Sequence, residues 1–230
     1  MNKYPKVNFR ISREMEKENL RFFISYKSRS GQDSFLMLIR KFPELKDLRE
    51  KSKEEQEKII SEFVAKKYSK MENSLKEDLA KLEPYWDKTT KQFFEATDKI
   101  FNNHPWKLSE FIAYLTIFSR YRYNLDEGYF YIPPNFSYGS WNLVCMHEML
   151  HFHFFDYWDK HFSGRLEKGK LWDLSEILNV LILNEHPFRY LGGQDTPPYP
   201  AHKEKYEELK PLWNSRKDLN DFLEKAIVRV

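Results

Sequence analysis

One cysteine, Cys145, is all that 230 residues contain. No internal disulfide can form, and nothing in the chain requires an oxidising compartment. Cys145 sits among apolar neighbours and reads as a small core residue. Long hydrophobic runs are missing too. With no stretch of 18 or more uncharged apolar residues, no membrane span is expected. No apolar segment follows Met1-Asn2-Lys3-Tyr4-Pro5-Lys6, so no secretory signal is expected and a cytoplasmic location is. An excess of one charge is also absent. Lys and Arg number 38 against 35 Asp and Glu, a net +3, which is too balanced to imply nucleic acid. No internal repeat or low-complexity tract occurs.

What the chain does have is apolar and aromatic bulk. Its 41% hydrophobic and 17% aromatic content is ample for a core and argues against disorder. The length suits one domain, with residues 1–105 as a mainly helical N-terminal region and 106–230 as a second region in the same compact unit. The expected class is α+β, predominantly helical with a small antiparallel sheet.

Alternation over residues 6–11 predicts a strand, and Leu20, Phe23 and Ile24 a helix from Ser12 that breaks at Ser30-Gly31. A short helix is expected over 35–41, ended by Pro43. Ile59, Ile60, Phe63, Val64, Met71, Leu75 and Leu79 keep a helical stripe through the charged stretch 51–81. Its interleaved Lys and Glu read as a solvated face. Phe93, Phe94, Ile100 and Phe101 suggest a second helix up to Asn102-Asn103-His104-Pro105. Residues 111–118 read as a buried strand, with a helix as the alternative. Tyr129-Phe130-Tyr131-Ile132 is a second strand, stopped by Pro133-Pro134. Ser140 is the expected N-cap of a helix reaching about Trp158, and a further helix spans 171–183. A Pro-rich loop around Pro197-Pro198 then leads to two amphipathic helices.

The chemistry concentrates in Met146-His147-Glu148-Met149-Leu150-His151. On a helix, positions four apart share a face, so His147 and His151 point the same way. Two imidazoles so placed can close on one Zn²⁺ at roughly 2.0–2.1 Å. Glu148 lies beside the pair, where a general base for a water belongs. The flanking residues are apolar on nearly every face. Burying two His and a Glu without partners would cost several kcal/mol, roughly, and an ion relieves it. A hydrogen-bonded core network without metal is the bland alternative.

The motif resembles that of the zincins, the His-Glu-x-x-His zinc metallopeptidases. The branch with Gly at 154 and His at 157 is not matched, because Phe154 and Tyr157 stand there. The resemblance, confined to about residues 110–190, is closer to the gluzincins, whose third ligand is a Glu on a second downstream helix. It makes 106–230 a zincin-like catalytic region carrying one Zn²⁺. It also implies a peptide or protein substrate and places 129–132 (Tyr129, Phe130, Tyr131, Ile132) as an edge strand that an extended substrate would join. The same four aromatic and apolar residues read equally well as core.

Glu176 is the expected third ligand. If the helices of 140–158 and 171–183 form an antiparallel hairpin, His151 and Glu176 stand at similar heights, roughly 12 Å and 9 Å from the turn. Asp173, Ser175, Glu176 and Asn179 would otherwise be a solvent-facing stripe. Glu185 is the next candidate ligand. Val180 stands where many gluzincins place a second acid, so a supporting carboxylate would be another residue such as Asp173. His153 and Asp156 face away from His147 and suit surface or supporting roles. An oxyanion donor is also needed; His186, Tyr199 and His202 are the candidates, with no preference among them. Two rival functions stay open: a metallohydrolase of non-peptide substrates, and a non-catalytic binding protein with a structural metal or a buried His/Glu network.

Overall fold

In the computed structural model, the described residues are 3–26, 33–118, 122–134 and 138–230, with backbone alone at 138 and 139. The expected break at Ser30-Gly31 lies outside them. The alternation at the start forms β1 (Lys6–Arg10), burying Val7 and Phe9. Helix α1 (Arg13–Ser25) follows, its first turn capped by the Ser12 hydroxyl, which accepts from Met15 N–H. Helix α2 (Ser34–Lys41) is capped in the same way by Asp33.

The charged stretch and the aromatic stretch after it form one helix, α3 (Lys53–Ile100), and not two. A reciprocal Ser52–Glu55 capping box starts it. Pro84 lies inside and costs a hydrogen bond. Leu82 and Trp86 on either side stay buried, so packing carries the helix across the gap.

The remaining strands are β2 (Glu110–Leu115), β3 (Tyr123–Asn124) and β4 (Tyr129–Ile132). The sheet order is β1-β2-β4-β3. β1 and β4 both run parallel to β2, and only the β3–β4 hairpin is antiparallel. The sheet is therefore mixed where an antiparallel one was expected. Its parallel partners are joined by long crossovers, which a pattern of short strands does not reveal. The 111–118 stretch leaves the sheet after Leu115 because the Glu16 carboxylate of α1 accepts from Ile117 N–H and Thr116 Oγ1.

Helix α4 (Tyr138–His161) starts two residues before Ser140, which lies in its first turn and is not its N-cap. Helix α5 (Lys168–Leu183) packs along α4, and α6 (Phe188–Gly192) packs against both. Helices α7 (Lys203–Asn214) and α8 (Leu219–Ile227) close the chain. The result is a predominantly helical α+β fold, with β1 against α3 and β4 against α4. One hydrophobic cluster runs from Val7 to Ala226. Among the described residues, no helix is long and apolar enough to cross a membrane.

Candidate metal centre

Positions 147 and 151 lie one turn apart on α4, and their imidazoles turn to the same side. Nε2 of His147 and Nε2 of His151 are 3.1 Å apart. Glu176, from α5, brings Oε2 to 3.3 Å from His147 Nε2 and Oε1 to 3.4 Å from His151 Nε2. One donor atom from each residue lies within 4.8 Å of the others, a group that could hold a metal ion. An ion bound tetrahedrally at roughly 2.0–2.1 Å separates its ligand atoms by about 3.3–3.4 Å. The two imidazole–carboxylate separations, each to a different Glu176 oxygen, fall at that spacing, and the two imidazole nitrogens stand slightly closer at 3.1 Å. The buried Glu176 Oε2 makes no hydrogen bond of good geometry, as expected of an oxygen placed for an ion. The residues fit a divalent metal.

Burial and charge act together here. The His151 side chain is 1% exposed, Glu176 6% and His147 15%, so the group opens to solvent on the His147 side. Burial disfavours the charged Glu176 carboxylate, yet the two imidazoles overcome that and hold its pKa well below the usual range. Burial opposes protonation of His147, but hydrogen bonding and charge from Glu176 raise its pKa. For His151 burial prevails and its pKa falls. Glu148 is buried beside the three, and burial pushes its pKa up to about 7, with His147 opposing and Glu176 adding.

The supports come from α5 and β3. Trp172, Glu176 and Asn179 are spaced four and three apart and share one face of α5. Asn179 is fully buried and donates from Nδ2 to the His147 main-chain oxygen at 3.1 Å. Ser175, Glu176 and Asn179 are all buried, so the alternative of a solvent-facing stripe does not hold for them. The His151 ring packs against Tyr123 at 4.7 Å and Phe155 at 6.1 Å, centroid to centroid. Stacking, and no hydrogen bond at its buried Nδ1, holds that ring.

Other sequence candidates sort differently. Glu185 is held by both Arg216 Nη atoms at 2.9 Å, and that guanidinium lies over Trp213, so it is no ligand. His186 lies past the end of α5, in a cleft with Lys99 and Lys217, away from the centre. His202 reaches α5 one turn before Glu176, where Nε2 meets Asp173 at 3.2 Å and the ring meets Trp172. Asp173 thus partners His202, not a ligand. Tyr199 is 54% exposed beside His202.

The strand of Tyr129, Phe130, Tyr131 and Ile132 is not an edge. β3 covers its outer side, pairing Tyr123 with Phe130 and Asn124 with Tyr129. Tyr131 N–H also donates to the Arg122 carbonyl. All four side chains are buried. The two-residue β3 was too short to show in periodicity. His153, expected at the surface or near the ligands, is instead core on the far face of α4. It stacks on Trp106 at 4.1 Å, and burial lowers its pKa to about 3. Asp156 beside it bonds His104 at 2.8 Å.

Sequence reasoning missed Tyr123. Its ring stacks on His151, and burial, with the charges of Glu148 and Glu176 adding, raises the pKa of its hydroxyl. Its only signal in the sequence was an aromatic residue ahead of the motif. Among known proteins, no family model, no curated protein and no solved structure matches this chain.

Proposed function

We propose that the chain is a zinc-dependent hydrolase whose substrate is a peptide or protein. The observation that carries this reading is the His147–His151–Glu176 group, its imidazole nitrogens 3.1 Å apart and each 3.3–3.4 Å from a Glu176 oxygen, with a second buried carboxylate one residue from His147. Two imidazoles and one carboxylate form a three-ligand set that leaves a position open, the arrangement of catalytic rather than structural zinc. When bound, such an ion supplies an acidified water and polarises a carbonyl oxygen.

The rest of the chemistry belongs to the chain. His147 and His151 must present neutral Nε2 atoms, and Asn179 holds the backbone that carries the first of them. Glu176 supplies the negative charge that favours a cation. Among the described residues Glu148 has no ion-pair or hydrogen-bond partner, and it takes the role of proton acceptor. The peptide bond as target comes from the zincin resemblance of the motif; the four-residue pattern of chemistry does not depend on it.

The test is metal analysis of the purified protein, with cleavage of a peptide library measured with and without chelator. We expect about one zinc per chain and cleavage that chelator abolishes. Glu148→Gln should keep its zinc and lose roughly 10²–10⁴-fold in rate. A wild-type chain that takes up no zinc on titration sinks the reading. Zinc uptake with cleavage of esters but no peptides would move the substrate class, and uptake with no hydrolysis at all would leave a binding role.

A further inference from the structure

We propose that the cleft between the end of α3, the α5–α6 turn and the α7–α8 link binds a small aromatic carboxylate. It shares no residue with the candidate metal centre, and the proposal stands apart from the hydrolase reading.

The cleft has a volume of about 820 Å³, within the range of sites for small organic ligands. Three walls meet there. Lys99 and Ile100 come from the last turn of α3, His186 and Pro187 from the turn after α5, and Lys217 from the link into α8. Each wall is tied to another, so the cleft is formed before any ligand arrives. Arg216 donates from both Nη atoms to Glu185 at 2.9 Å, with its guanidinium over Trp213, and fixes the link to the end of α5. Phe188 meets Phe93 edge-on at 6.0 Å, which fixes α6 to α3. The Tyr157 hydroxyl donates to Asn220 Oδ1 at 2.7 Å and holds the start of α8 to α4.

The charges left unmatched decide the sign of the ligand. Arg216 and Glu185 cancel one another. Glu95 is answered by Lys91 at 3.8 Å, and Asp218 accepts from Asp221 N–H as the N-cap of α8. Lys99 and Lys217 have no ion-pair partner among the described residues, and they stand on separate walls. Two ammonium groups lining one cleft repel, and a carboxylate bound by both relieves that. The other surfaces are apolar. Phe188 and Leu219 are buried and form the floor, while Tyr190 stands 79% exposed on the rim. The Tyr190 ring makes no ring contact among the described residues and offers an apolar face with a polar tip. A planar ring between Tyr190 and that floor, its carboxylate reaching the two lysines, satisfies both features together.

The experiment uses the full chain and three probes of one shape: phenylacetate, phenethyl alcohol and phenethylammonium. Titrations are followed by amide NMR shifts. Phenylacetate should bind more tightly than the alcohol, the alcohol more tightly than the cation, and its shifts should map to the cleft. Lys99→Gln and Lys217→Gln should each weaken phenylacetate about fivefold, and added salt should act in the same direction. Tyr190→Ala should weaken all three probes alike. All three replaced side chains are exposed, and unchanged circular dichroism checks that the variants keep their fold. Equal affinity for the three probes, or preference for the cation, overturns the proposal. So do shifts scattered outside the cleft, no binding at millimolar phenylacetate, or wild-type affinity in both lysine variants. Zinc uptake enters none of these readouts, so failure of the metal centre is a separate result.

Discussion

Asn179 is the residue on which the ligand geometry depends without touching the ligand atoms. Its amide reaches the main-chain oxygen of His147 from the opposing helix, in full burial. Truncating it removes the second donor to a carbonyl that already accepts within α4, and lets α5 drift relative to His147. Asn179→Ala should lower zinc affinity about tenfold, in the manner of lost outer partners of metal ligands, with helical content unchanged. Zinc titration against a colorimetric chelator measures this; wild-type affinity in the variant would separate Asn179 from the centre. At this scale the pair His147 and His151 was legible because helix periodicity alone aligns them. Glu176 was legible because matched heights on two helices needed only the rise per residue. Tyr123 was not, since a two-residue strand leaves no periodic trace and its position depends on how the hairpin folds back.

The junction of α1 with the end of β2 carries a pH dependence of its own. Glu16 is 1% exposed, and burial raises its pKa to about 7, against the bonds it accepts from Ile117 and Thr116. A carboxyl whose folded pKa lies above the ordinary 4.5 favours the folded state when protonated. Its contribution is full below about pH 4.5 and is lost as pH rises towards 7. His153 works the other way, because its depressed pKa costs stability as pH falls below 6.5. Comparison with Glu16→Gln isolates the carboxyl. Between pH 4.5 and pH 7.5 the variant should gain on wild type by about 3 kcal/mol, an order-of-magnitude figure from the size of the shift. Urea melts at the two values check it, and a difference independent of pH would contradict it. The same junction explains why the 111–118 run read as a longer strand than β2 is. Aromatic and β-branched residues continue to Phe118, but the backbone N–H of Ile117 is taken by a side chain from another element. The continuity of α3 was hidden for a like reason, since Pro84 is a strong local signal that buried Leu82 and Trp86 override.

For the whole molecule, the parallel pairing of β1 with β2 matters most. Lys6 lies opposite Glu110, so these strands meet across about a hundred residues, most of them α1 to α3. The three candidate ligands lie within residues 147–176, on two helices adjacent in the chain. The sheet is thus a long-range structure and the candidate metal centre a local one. Contacts between distant segments form slowly, whereas a helical hairpin closes fast. Metal capture is therefore expected to run ahead of sheet completion. In refolding from urea with zinc and a zinc-sensitive dye present, uptake should be faster than recovery of near-ultraviolet dichroism. Simultaneous phases would mean that the hairpin waits for the sheet. An early-loaded centre has a further consequence in the cell: a chain still joining its first strand to its second could already hold its ion.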